Sequence, residues 1–136
     1  MNKEKLKELY ELYDLKAEHF FKHQHYTIIC RTGIDLIQAK ANIKINYEVI
    51  RCEPHYAVFK AIATKGNTTI ETFGSALKGQ NYKESTTNSF YVAEMAEKRA
   101  MSRAVLKLTG FYQLSVYAED ESESFKKPKT EYQTLK

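Results

Sequence analysis

The chain has 136 residues, of which 43% are hydrophobic and 12% aromatic, and its formal net charge is +4. This length predicts one domain with a substantial core and leaves little room for a second. The mildly basic balance permits contact with phosphate backbones but excludes the extreme charge of a histone-like protein. Two cysteines, Cys30 and Cys52, form neither a metal-type pair nor a disulfide framework. The charged N-terminus and the lack of a long apolar run predict a cytoplasmic protein with no membrane contact.

Helix and strand patterns alternate in the first part of the chain. Apolar residues recur at three- and four-residue steps over residues 3–23, which predicts a first helix. We expect it to pack on its own domain rather than on a neighbouring subunit, because the remaining core is small. The β-rich segment Tyr26–Cys30 predicts a short strand, and Thr32 is expected to cap a second helix over residues 33–41.

Three antiparallel strands are predicted in the middle of the chain. Residues Ile43–Val49 alternate between apolar and polar types, and Tyr56–Thr64 and Thr68–Ser75 continue the strand pattern. The segments Cys52–His55 and Lys65–Asn67 carry the turn residues that join them. The three segments therefore predict a meander.

A polar loop over residues 76–87 leads into a long helical pattern at Asn88–Tyr117. The small and apolar side of that helix is expected to face the sheet. It comprises Ala93, Ala100, Met101, Ala104 and Leu108. The sequence thus predicts an α+β fold with N-terminal helices, a three-stranded meander and a long C-terminal helix packed on the sheet. We expect residues 1–120 to form one domain and residues 121–136 to be a charged, disordered tail.

A cationic stripe runs along the same late helix. Arg99, Arg103 and Lys107 follow one another at four-residue spacing, and such like charges repel one another by a few tenths of a kcal/mol per pair. An anionic partner outside the helix is one way to offset that repulsion. The alternative is that Glu94, Glu97 and neighbouring loops neutralise a solvated face.

Basic and aromatic residues are interleaved in and after the polar loop. Single strands are held by cationic grooves with aromatic platforms on which bases stack. Tyr82, in the loop, suits stacking, whereas Phe90 is more typical of a core residue where the helix begins. The candidate nucleic-acid contacts are Lys78, Tyr82, Lys83, Arg99, Arg103 and Lys107.

Motifs of catalysis are missing from the sequence. It contains no Gly-rich phosphate loop, nucleophile elbow or metalloprotease signature. His19, His23 and His25 lack a nearby carboxylate or Cys to complete a metal site. We therefore expect a non-enzymatic protein without catalytic residues, cofactor or metal. A small-ligand site in a cleft beside residues 76–90 is the weakest alternative.

The late helix carries a family resemblance. The run Met95–Tyr112 (MAEKRAMSRAVLKLTGFY), followed by Val116–Asp120, resembles a motif of proteins borne by phages and mobile elements. There a Met-Ala-Glu-x-Arg-Ala helix closes a small α+β domain. Such proteins are similar to single-strand annealing recombination proteins of the Rad/Sak type, whose core is a β-β-β-α unit. Glu71–Ala76 also matches their strand end, and the resemblance covers residues 26–120.

The resemblance implies a DNA-recombination function. It implies that Arg99 and Arg103 face a groove, or that at least one of them anchors the sheet instead. Together with the basic set, it leads to the hypothesis of a protein that binds and anneals single-stranded DNA through its phosphates and bases, as a monomer or a homo-oligomer. The alternative is a protein-interaction or regulatory module of a phage or plasmid that does not bind DNA directly.

Overall fold

The computed structural model describes residues 3–23 and 26–122 and shows an α+β fold, as predicted. The helices are α1 (Lys3–Leu12), α2 (Arg31–Ala41), α3 (Val92–Thr109) and α4 (Glu119–Ser122). The strands are β1 (Phe20–His23), β2 (Tyr26–Ile29), β3 (Lys44–Glu53), β4 (Tyr56–Lys65), β5 (Thr68–Leu77) and β6 (Val116–Ala118). Short 3₁₀ turns lie at Ala17–His19, Tyr82–Glu84 and Tyr112–Leu114.

The central sheet has the order β3-β4-β5, and both pairings are antiparallel. This confirms the predicted meander, although β3 and β5 extend further than predicted. Glu53 of β3 pairs with Tyr56 of β4, so only the two residues between them form the first turn. At the far end of β5, Leu77 also pairs with Tyr56. A β-bulge between Val49 and Arg51 interrupts the register of β3.

Helix α3 packs across one face of this sheet through small side chains. Ala61 of β4 and Ala100 and Ala104 of α3 are fully buried. The predicted apolar side of the helix is thus confirmed at Ala100, Met101 and Ala104, whereas Ala93 and Leu108 are only partly buried. Closest approach occurs at Gly74 of β5. A Cβ atom there would overlap the carbonyl oxygen of Ala96, so only glycine lets the two backbones come this close.

The late helix is shorter than predicted at both ends. It begins at Val92 rather than near Asn88, and Gly110 ends it in a left-handed conformation with φ of +93°. Glycine commonly ends helices in this way because it has no side chain to clash. The chain beyond Gly110 is free to change direction, and it forms a 3₁₀ turn and β6 instead of continuing to Tyr117.

A second small sheet with the order β1-β2-β6 was not predicted from the sequence. Strand β2 pairs with β1 in antiparallel and with β6 in parallel orientation. The predicted helix over residues 3–23 is therefore wrong beyond Leu12. The chain turns at Asp14, which has a φ of +60°, and Phe20 then pairs with Ile29 of β2.

The core lies between α3, the central sheet and the part of the chain before that sheet, which includes α1 and α2. Ile34, Ile37, Leu106 and Phe111 are among its fully buried side chains. Leu6, Leu9 and Tyr10 of α1 pack against this core while remaining partly exposed. The first helix thus contacts its own domain, as expected.

Two further boundaries differ from the sequence prediction. The N-cap position of α2 is Cys30 rather than Thr32, and the residue after the helix, Asn42, is left-handed with φ of +56°. The predicted disordered tail began at residue 121, but Glu121 is buried and Ser122 belongs to α4. The rest of that prediction, residues 123–136, lies outside the described residues.

Candidate nucleic-acid interface

Arg99, predicted to lie on an accessible cationic stripe, is buried, with 4% of its surface exposed. Its guanidinium donates to three backbone oxygens: from Nε to Asp120 at 2.8 Å, from Nη1 to Ser75 at 2.9 Å and from Nη2 to Thr86 at 2.7 Å. These acceptors belong to α4, β5 and the loop before α3. One side chain thereby ties three segments together, and the prediction of an accessible guanidinium is wrong for Arg99.

Arg103, one turn further along α3, is also engaged within the protein. Its Nη1 donates to the carbonyl oxygen of Phe73 at 3.0 Å, and its Nη2 lies 2.6 Å from Oε1 of Glu121. Burial by itself lowers the pKa of Arg103, but the hydrogen bond and charge of Glu121 raise it above its ordinary value. About a third of the side chain remains exposed, at 33%. Arg103 is therefore available to a ligand only in part.

The two arginines cover the free edge of β5. The carbonyl oxygens of Phe73 and Ser75 accept from Arg103 and Arg99, respectively, and that of Leu77 accepts from the backbone N–H of Thr86 at 2.8 Å. Unpaired strand edges are hazards because they pair with other chains. The arginines therefore close an edge, which is a structural role.

Carboxylates of α4 contact arginines of both α2 and α3. Glu121 pairs with Arg103, and Oδ2 of Asp120 lies 3.2 Å from Nη1 of Arg31, the first residue of α2. Glu119 accepts from the backbone N–H of Arg31 at 3.1 Å. The alternative of neutralisation within the protein is therefore supported at Arg103, but the carboxylate is Glu121 of α4 rather than Glu94 or Glu97, and the face is not solvated at Arg99.

Lys107 stands apart from the other candidates. Its ammonium lies 5.1 Å from the ring centroid of Tyr112 and is exposed to solvent. It follows Val92 by fifteen residues, which places it about 22 Å along the helix axis. The structure therefore does not bring Lys107 together with the cations of the loop before α3.

The loop before α3 is held in place by its own side chains. The backbone N–H of Leu77 donates to Oγ1 of Thr86, and that of Gly79 donates to Oγ of Ser85, both at 2.8 Å. The Ser85 hydroxyl in turn donates to the carbonyl oxygen of Asn81 at 2.9 Å. Ser85 and Thr87 are buried although both are polar. Ser and Thr side chains often stabilise turns in this way.

Two consecutive aromatic side chains project from the end of this loop. Phe90 is 74% exposed and Tyr91 is 71% exposed. The prediction that Phe90 belongs to the core is therefore wrong. The backbone N–H of Tyr91 donates to Oγ of Ser89 at 2.9 Å, which fixes the chain just before α3 begins.

Lys78 lies beside these rings. Its Nζ is 5.0 Å from the ring centroid of Phe90, within the range of a cation–π contact. Its backbone N–H donates to the carbonyl oxygen of His55 in the turn between β3 and β4, at 2.8 Å. Lys83 is exposed in the short 3₁₀ turn of the loop, and the side chain of Tyr82, the predicted stacking residue, lies outside the described residues.

The candidate site is therefore the surface of Lys78, Phe90 and Tyr91, to which we add Lys83 because it is exposed in the same loop. We call these four residues the aromatic loop surface. Sequence reasoning missed both rings as site residues. The polar Ser and Thr run at residues 85–89 was the available signal, because it placed the aromatic pair directly after an irregular segment.

A hollow beside residues 76–90, where the sequence allowed for a small-ligand site, is lined by His55, Lys78, Gly79, Gln80, Glu84 and Phe90. A separate cleft includes only Thr86 from that segment. It runs along the edge of β5 and is lined by Phe73, Ser75, Thr86, Arg99, Arg103 and Glu121. The hydrogen bonds described above direct the arginines in it to carbonyl oxygens and to Glu121. The cleft thus follows the contacts that hold α3, α4 and β5 together.

Comparisons with family models, curated proteins and solved structures gave no match to this chain. Within the described part of the chain, no helix has the length and apolar character needed to cross a membrane.

Proposed function

We propose that this protein binds single-stranded DNA without catalysing a reaction, and that the aromatic loop surface is the contact. The observation that carries the proposal is the exposure of Phe90 and Tyr91 beside Lys78. Recognition of a single strand combines aromatic rings, on which bases stack, with cations that contact the phosphates.

The energetics favour a partner for these rings. More than 70% of the surface of Phe90 and of Tyr91 is exposed to water. Burial of such a side chain is worth roughly 1.5–3 kcal/mol, and this stabilisation is not used within the protein. A base stacked on a ring recovers part of that energy, at about 1–3 kcal/mol per base. The hydrogen bonds of Ser85, Thr86 and Ser89 hold the loop, so little ordering is required on binding.

The mode of binding supports a function in annealing. Stacking uses the face of a base and leaves its Watson–Crick edge available to a complementary strand. Lys78 and Lys83 would contact phosphates of the bound strand. In this proposal the protein holds a strand open for pairing, and a homo-oligomer would extend the bound length. Arg99 and Arg103 would act indirectly, by holding the loop and α4 against β5.

A second candidate is a module that binds another protein and not DNA. It is favoured by the burial of Arg99 and the partial burial of Arg103, which reduce the cationic area. Exposed aromatic pairs are also typical of protein-binding hot spots.

The proposal is tested by fluorescence anisotropy with labelled oligothymidylate, using the full chain. We expect saturable binding that weakens with salt, and weaker binding to a duplex of the same length, in which the base faces are stacked on each other. No binding to the single strand at low salt would contradict the proposal and favour the second candidate.

A further inference from the structure

A second surface, made of apolar side chains and lysines, lies in the N-terminal part of the chain. A groove between α1 and β1 has a volume of about 550 Å³, within the range of ligand pockets, roughly 300–1,000 Å³. Its floor is formed by apolar side chains and its rim by lysines. The lining includes Lys3, Leu6, Lys7, Tyr10, Phe21 and Lys22. We call it the α1–β1 groove.

The aromatic rings of the floor are already stacked on one another. Tyr10 lies against Phe20, with ring centroids 4.3 Å apart and planes 11° from parallel, and it also lies 6.2 Å from Phe111. The ring of Tyr10 is therefore already engaged in stacking within the protein. The groove also offers a ligand Leu6 and the ring of Phe21, which is 41% exposed. Such a floor suits an inserted apolar side chain better than a stacked base.

The charge of the rim has one sign. Lys3, Lys7 and Lys22 border the groove, and no carboxylate lines it among the residues that the structure describes. The carboxylates of α1, at Glu4, Glu8 and Glu11, line a neighbouring hollow that shares Lys7 with the groove. Opposite charge across an interface favours association and selects partners.

Helix α1 leaves this surface open. It has no fully buried residue, and Leu6 and Tyr10 bury only part of their surface against the core. An apolar side chain placed in the groove would cover the parts of these residues that still face water.

We propose that the α1–β1 groove binds an acidic peptide segment of another protein, with an apolar side chain inserted between α1 and β1 and carboxylates on the lysine rim. The charge complementarity of the rim and the apolar floor together specify this occupant. The inference is independent of DNA binding at the aromatic loop surface, because the two sites share no residue.

The experiment uses a fluorescein-labelled peptide with aspartates on both sides of a Leu-Phe pair, and a second peptide in which Ser-Ser replaces Leu-Phe. We expect the Leu-Phe peptide to bind at least about tenfold more tightly, because its side chains gain burial. Equal affinity for the two peptides, or no binding of either, would show that the groove does not recognise an apolar anchor.

A matched pair of variants locates the contact. Lys7→Gln with Lys22→Gln removes two exposed rim charges, and Lys40→Gln with Lys44→Gln removes two exposed charges elsewhere. The first double variant should lose at least about fivefold in peptide affinity, and the second should change little. Equal losses would indicate a response to net charge alone and would overturn the assignment. A loss of oligothymidylate binding confined to the rim variant would instead make the groove part of a DNA path.

Discussion

Arg103 and Glu121 form an ion pair with 2.6 Å between Nη2 and Oε1, which joins α3 to α4. The carboxylate is buried, at 5% exposure of the residue, while the guanidinium is partly solvated. The pair connects the acidic segment that follows β6 to the edge of β5, because Arg103 also donates to Phe73. Arg103, whose spacing on α3 suggested contact with a ligand at the surface, therefore makes its contacts within the protein.

The first prediction concerns this pair. Arg103→Ala should lower the free energy of unfolding by about 1–3 kcal/mol, since it leaves a buried carboxylate without its cation. Glu121→Gln should cost less, because the amide oxygen still accepts from the guanidinium. Urea denaturation of both single variants and the double variant gives the coupling energy. Additive effects would show that the pair contributes no coupling.

Arg99 should be more important to stability than any exposed cation of α3. Arg99→Ala removes donors to the carbonyl oxygens of Ser75, Thr86 and Asp120, and we expect a loss of about 3–5 kcal/mol. Arg99→Lys should recover only part of it, because an ammonium cannot reproduce the planar fork. Lys107→Ala serves as the exposed control, and its melting temperature should remain near that of the parent. A stable Arg99→Ala protein would disprove the anchoring role.

Gly74 is expected to tolerate no side chain. Gly74→Ala would place a methyl group against the backbone of Ala96 and Ala100, and moving α3 away from β5 should cost about 1–3 kcal/mol. The neighbouring Ser75→Ala, which alters an exposed side chain, is the control. The two variants can be compared by thermal unfolding monitored by circular dichroism. Similar melting temperatures would mean that the helix shifts without penalty.

The parts of the fold predicted from sequence are those determined by local pattern. The meander followed from alternation and turn residues, and α3 from its small apolar side. The second sheet could not be predicted, because β6 has three residues and its parallel pairing with β2 is long-range. Phe20 fits the helical spacing of the residues before it, but its pairing with Ile29 in the sheet overrides that local pattern.

The candidate site was predicted only in part, for a similar reason. Lys78 and Lys83 were identified from charge in a polar loop, and they remain candidates. Arg99 and Arg103 had the spacing of a surface stripe, and only the return of the chain through β6 brings α4 next to them. The hydrophobicity of Phe90 predicts a core residue, whereas the structure exposes it. Its exposure depends on where α3 starts, a boundary that periodicity does not define.

Salt dependence tests how many cations contact the strand. Two phosphate contacts, at Lys78 and Lys83, should give a slope of about −1.4 in a plot of the logarithm of affinity against the logarithm of salt concentration. Replacing both lysines by alanine should bring the slope close to zero, whereas Lys107→Ala should leave it unchanged. A slope that falls equally in both variants would indicate contacts distributed over the surface.

The most direct test of the central claim is oligothymidylate affinity after replacement of the exposed rings. Phe90→Ala combined with Tyr91→Ala should weaken binding by at least about thirtyfold, because two stacking platforms are lost. The matched control combines Tyr47→Ala and Phe73→Ala, which removes two partly exposed aromatics of the central sheet and should change affinity little. Unchanged affinity in the Phe90 and Tyr91 variant, with a normal melting temperature, would contradict the assignment of the aromatic loop surface.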